Sequence, residues 1–158
     1  MLIRTNRQVG NGLRLVAIDP GKATGLAIVD FEPPAEDGSI QMNYRVTELA
    51  WPREAQLLTD HMLMADVIVC EDWRLRPGKA KQVCGEVLWG DRCAGFVEGF
   101  CVWQRKNLMW QQPAEMASFR EYIKEVLNEK GSPWPKSEHA QDALIHAFVW
   151  LTKGEQDA

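Results

Sequence analysis

The sequence holds no apolar run approaching the roughly 18 residues that a membrane-spanning helix needs. Its opening, MLIRTNRQVGNG, has no apolar h-region, so no secretory leader is expected and a cytoplasmic location is. It also has no CxxC pair: Cys70 sits in an apolar run, and Cys84, Cys93 and Cys101 follow at spacings of nine and eight. That pattern excludes a zinc knuckle or a dithiol redox motif and predicts buried, reduced thiols. Positive charge is in deficit, with 18 Lys and Arg against 22 Asp and Glu and a net charge of −4. Bulk attraction to nucleic acid is therefore disfavoured, although a local basic patch is not. Repeats and low-complexity tracts are missing too. What remains is 158 residues, 46% apolar and 25% charged, the composition of one ordinary globular domain.

Residues 1–12 read as a flexible polar arm, 13–153 as a single domain and 154–158 as a tail. Leu13 to Ile18 is an apolar strand stopped by Asp19-Pro20-Gly21, and Thr24 to Phe31 resumes it, which predicts a hairpin. Ile40 to Ala50 is a third strand. Pro52 offers a helix start, with Ala55, Leu58, Met62 and Ala65 at helical spacing. Val67 to Cys70 is short and wholly apolar, as suits a central strand buried on both faces, and it ends in Glu71-Asp72. A glycine-containing helix over about 81–104, an edge-like strand at Asn107–Gln111, a helix over 114–128 and a last one capped by Ser137 complete the chain. The order βββαβαβαα predicts an α/β fold with a mixed five-stranded sheet flanked by helices.

Three acids stand out by position. Asp19 and Glu71 each end a strand, where open α/β sheets gather reactive groups. Two desolvated carboxylates side by side are unfavourable unless a cation neutralises them, and an all-oxygen pair suits Mg²⁺ or Mn²⁺. The third, Asp142, shares one helical stripe with His139 and His146 beside an apolar face of Ala140, Ala143, Leu144, Ala147, Phe148 and Leu151. His146 reads as a satisfied core or surface histidine. Asp72 points to the opposite face from Glu71 and reads as structural.

The segment Val16-Ala17-Ile18-Asp19-Pro20-Gly21-Lys22-Ala23-Thr24-Gly25-Leu26-Ala27 resembles the opening hairpin of RuvC-type Holliday-junction resolvases, members of the RNase H-like superfamily. Val67-Ile68-Val69-Cys70-Glu71 resembles their strand bearing a catalytic Glu, and the helix with Leu88, Gly90, Gly95 and Phe96 resembles the one after it. His139-Ala140-Gln141-Asp142-Ala143-Leu144 resembles their terminal Asp/His-x-x-Asp-Ala motif. The likeness covers roughly residues 14 to 150. Two departures are visible: the turn between Gly21 and Thr24 is a residue shorter than in many members, and His139 stands where many have Asp. The compact form resembles bacteriophage resolvases, for which the cytoplasm would be the host's.

The resemblance implies that Asp19, Glu71, His139 and Asp142 are catalytic and hold two ions of Mg²⁺ or Mn²⁺. Asp19 would bridge both, with Glu71 on one and Asp142 and His139 on the other; His139 is alternatively a general base. An imidazole in the set favours Mn²⁺ somewhat. The implied substrate is four-way or otherwise branched DNA, cut by a homodimer with no membrane involvement. Arg74, Arg76, Lys79 and Lys81 put four cations into eight residues shortly after Glu71, and with Lys22 they are candidates for phosphate contact. Trp73 is a candidate for stacking on a base, with core packing as its alternative. Competing readings are another RNase H-like nuclease acting on RNA–DNA hybrids or flaps, and an actin- or kinase-like nucleotide-binding protein. The second needs a two-domain chain of more than twice this length.

Overall fold

Leu15, Val16, Ala17 and Ile18 are all shut away from solvent, as a strand must be when helices cover both faces of a sheet. The computed structural model describes residues 2–3, 12–33, 35, 40–72, 88–113 and 119–153. In chain order the elements are β1 (Leu2–Ile3), β2 (Arg14–Asp19), β3 (Ala23–Phe31), β4 (Ile40–Ala50), α1 (Ala55–Leu63), β5 (Val67–Glu71), α2 (Trp89–Gln104), β6 (Asn107–Gln111), α3 (Arg120–Glu129) and α4 (Glu138–Lys153). The sheet order is β1-β4-β3-β2-β5-β6. β3 is antiparallel to both β2 and β4, while β5 runs parallel to β2 and β6 parallel to β5. The mixed five-stranded sheet and its βββαβαβαα order are therefore present. Leu2–Ile3 adds a two-residue pairing to Gln41 and Ile40 at the sheet's edge.

The period-two alternation of strands divides the core in two. Leu15, Ala17, Ala27, Val29, Val67 and Val69 face α3 and α4, where they meet Ile123, Leu127, Leu144, Ile145 and Phe148. Val16, Ile18, Leu26, Ile28, Ile68 and Cys70 face α1 and α2, packing on Leu58, Met62, Cys93, Val97 and Phe100. Cys70, Cys93 and Cys101 are free, buried thiols; Cys84 lies outside the described residues.

Some element ends differ from expectation. Helix α1 starts at Ala55 rather than Pro52, because residues 51–54 form a turn in which the Ala50 N–H donates to the Glu54 carboxylate at 2.6 Å. Helix α2 is described from Trp89, so residues 81–87 of the predicted helix lie outside the described set. Helix α3 is described over Arg120–Glu129, and residues 114–118 of the predicted helix lie outside the described set. Ser137 caps α4 as predicted, its hydroxyl accepting from the Ala140 N–H at 3.4 Å. Among the described residues, no helix is long and apolar enough to cross a membrane.

Candidate active site

Strand alternation aims the acids. Asp19 follows Leu15 and Ala17 at period two, and Glu71 follows Val67 and Val69, so both side chains leave the sheet on the α4 face. Ile18 pairs with Cys70, which puts Asp19 and Glu71 each one residue beyond that pair, at the carboxyl ends of two adjacent parallel strands. Asp19 also pairs with Gly25 of β3, and Glu71 with Gln111 of β6. Gly25, Asp19, Glu71 and Gln111 thus form one row across four strands.

Helix α4 lays its polar stripe over that row. His139 Nδ1 lies 2.6 Å from Asp19 Oδ2 at one end, and His146 Nε2 lies 3.1 Å from Glu71 Oε2 at the other. The helix can sit this low because Gly25 has no side chain: a Cβ there would lie 1.9 Å from the His139 carbonyl oxygen and 3.1 Å from the Ala140 nitrogen. On the hairpin side, the Thr24 hydroxyl is fully buried and donates to the Gly21 carbonyl at 2.7 Å, bracing the turn after Asp19.

Asp19, Glu71, Pro113, Arg120, Glu138, His139 and Asp142 line an open cleft of about 460 Å³. Burial raises the Asp19 pKa to about 7, with Glu71 and Asp142 adding to the rise and the hydrogen bond from His139 opposing it. The His139 pKa is raised: burial disfavours its charged form, but the hydrogen bond and charge of Asp19 outweigh that. Asp142 is also raised, by burial first and by Glu71 and Glu138, against the pull of Arg120.

All four tetrad candidates line this one cleft. Sequence reasoning passed over two further residues, Arg120 and Gln111, and left the partners of His146 open. Arg120, at the start of α3, donates through Nη2 to Asp142 Oδ1 and through Nη1 to Gln141 Oε1 at 2.8 Å. Gln111 places its side-chain oxygen 2.8 Å from His146 Nδ1. His146 is a satisfied core histidine as read, fully buried, but what satisfies it is Glu71. An Arg at a helix start signals nothing in the sequence, and Gln111 was visible only as a strand's last residue.

The donor set fits a hard divalent cation. Four carboxylates, those of Asp19, Glu71, Glu138 and Asp142, share one cleft with an imidazole, and the pKa values of Asp19 and Asp142 are held up by burial and by neighbouring carboxylates, a strain that divalent charge relieves. Among the described residues, no three His, Cys, Asp or Glu side chains already close around a single point. Instead Asp19 leans on His139 and Asp142 on Arg120.

Of the residues expected to touch nucleic acid, Lys22 is exposed in the β2–β3 turn immediately after Asp19's strand. Trp73, Arg74, Arg76, Lys79 and Lys81 lie outside the described residues.

Comparison with solved structures places the architecture. RuvC of Thermus thermophilus matches with a TM-score of 0.57 at 16% identity, covering 87% of this chain and 92% of its own. The fold is that of RuvC-type resolvases. A second RuvC structure from T. thermophilus, in complex with a Holliday junction substrate, matches at 0.54 and 15% identity over 87% and 91% of the two chains. The yeast mitochondrial Holliday junction resolvase Ydc2 also matches at 0.54, with 16% identity over 92% and 80%. No protein-family model and no curated protein sequence matches the chain. The RuvC-type sheet is thus shared at low identity, and it is this chain's own row of side chains that argues its chemistry.

Proposed function

We propose that the protein is a structure-selective endodeoxyribonuclease that resolves four-way or other branched DNA by metal-assisted phosphodiester hydrolysis. The observation that carries this reading is the gathering of Asp19, Glu71, His139 and Asp142 in one open cleft at the carboxyl ends of β2 and β5. The scaffold supports it, since one similar structure is RuvC in complex with a Holliday junction substrate and another is the yeast mitochondrial Holliday junction resolvase Ydc2.

Asp19, Glu71 and Asp142, with His139, would hold two Mg²⁺ or Mn²⁺ ions. Such ions, when bound, lower the pKa of an attacking water and stabilise the leaving 3′-oxygen. The chain's own groups do the rest. Asp19 Oδ2 fixes the His139 ring through Nδ1 and keeps the imidazole in the cleft, where its other nitrogen would either help hold a metal ion or instead act as general base. Arg120 neutralises Asp142 while the cleft is free of substrate and adds positive charge to the wall that a phosphate would approach. Lys22 and the cluster Arg74, Arg76, Lys79 and Lys81 would hold flanking phosphates, with Trp73 stacking on a base. Symmetric resolution needs two such sites, so the working form is a homodimer.

The test is incubation with a synthetic four-way junction, a flap, a linear duplex and an RNA–DNA hybrid, each with Mg²⁺ and with Mn²⁺. Paired nicks at symmetric positions on the junction are expected. Cleavage confined to the hybrid or the flap would replace this reading with another RNase H-like nuclease.

A further inference from the structure

His146 lies one helical turn beyond Asp142, on the stripe that crosses the carboxylate row, yet it is fully buried and does not line the cleft. Its ring is held at both nitrogens. Nε2 meets Glu71 Oε2 at 3.1 Å, and Nδ1 meets the side-chain amide of Gln111 at 2.8 Å. Gln111 is itself fixed, because it pairs with Glu71 across β5 and β6 and its carbonyl accepts from the Asp72 N–H at 2.7 Å. The three side chains close a small circuit behind the cleft: strand β5 to helix α4 to strand β6. Among the described residues, His146 is the only side chain hydrogen-bonded to Glu71.

We propose that His146, backed by Gln111, is a positioning residue that sets the Glu71 carboxylate for metal binding. The inference rests on the metal-dependent reading above and names a residue that reading does not use. The chemistry is that of a donor behind a ligating group. A neutral imidazole carries one N–H, so the ring donates through Nε2 to Glu71 Oε2 when the Gln111 side-chain amide is turned to donate to Nδ1; that N–H occupies one carboxylate oxygen and restrains its rotation. Losing such an outer partner typically weakens metal affinity by about 10- to 100-fold while leaving the ligands themselves in place. A purely structural histidine would affect folding and not the metal.

The test uses the full chain and Mn²⁺ alone, followed by electron paramagnetic resonance of free ion in the absence of DNA. His146→Leu fills the space but cannot donate; His146→Gln keeps a donor. With both variants shown folded by circular dichroism, His146→Leu is expected to weaken Mn²⁺ binding about 10- to 100-fold. His146→Gln is expected to recover a large part of that loss, and Gln111→Leu to weaken binding less than His146→Leu. In junction cleavage, the Mn²⁺ concentration for half-maximal rate should rise in parallel. Unchanged Mn²⁺ affinity in folded His146→Leu, or no recovery in His146→Gln, would overturn the role of His146 alone. A wild-type protein that binds no Mn²⁺ would overturn the metal-dependent reading and this one with it. Should His146→Leu fail to fold, His146→Gln against His146→Asn decides: equal affinity in both, despite the shorter reach of Asn, would contradict a positioning role.

Discussion

A methyl group on Gly25 would collide with the carbonyl oxygen of His139 at 1.9 Å. That close approach of β3 to the first turn of α4 is what brings His139 onto Asp19 at 2.6 Å. Both clashing partners are backbone or fixed to it, so no rotamer change relieves the contact. Gly25→Ala is expected to cost about 3 kcal/mol, the upper end of ordinary overpacking, and to lift His139 and Asp142 away from the strand ends. Thermal denaturation and cleavage assays should therefore both suffer. A variant with wild-type melting temperature and rate would contradict this geometry.

Helix α4 is also the main support of the site from below. Leu144 is fully buried against the sheet, two residues past Asp142. Leu144→Ala is expected to destabilise the protein by about 2–5 kcal/mol through a cavity under the helix. Chemical denaturation measures this, and a loss under 1 kcal/mol would mean that the helix is packed otherwise.

The metal-free protein should lose stability as pH rises. Asp19 titrates near 7 in the fold, well above the ordinary aspartate value, and the His139 pKa is raised too. For both, the folded state binds its proton more tightly than the unfolded chain. Their contribution is full at low pH and disappears as pH rises through the folded values. In EDTA, the melting temperature of wild type should fall between pH 5 and pH 8 more steeply than that of Asp19→Asn. Equal slopes in the two proteins would remove Asp19 as the source.

The described thiols should be unreactive. Burial pushes the pKa of Cys70, Cys93 and Cys101 up, that of Cys101 to about 11. Mass-spectrometric mapping after iodoacetamide at pH 8 should find these three unmodified in native protein and modified after unfolding. Rapid native labelling of Cys70 would contradict its burial in strand β5.

Much of this site was legible because strands alternate with a fixed period. Leu13–Ile18 and Val67–Cys70 read as strands with Asp19 and Glu71 at their ends, and the parallel pairing of β2 with β5 brings those two carboxylates together. The i, i+3 spacing of His139 and Asp142 then supplied the facing stripe. The partners of those groups were not legible, because they depend on registers that span the chain. Glu71 meets His146 across 75 positions and Asp142 meets Arg120 across 22. Gly25 looked like a motif glycine, but its reason is the tertiary approach of a helix. The start of α1 lies three residues later than Pro52 suggested, because the local turn at residues 51–54 competes with helical spacing.

The central claim is that Asp19 anchors a metal-dependent cut in branched DNA, and one comparison addresses it directly. Wild type and Asp19→Asn are given the same end-labelled four-way junction, with binding read by gel shift in Ca²⁺ and cleavage in Mn²⁺. The account predicts equal junction binding, paired symmetric nicks from wild type, and no nicks from Asp19→Asn. Cleavage by Asp19→Asn at the wild-type rate would contradict it.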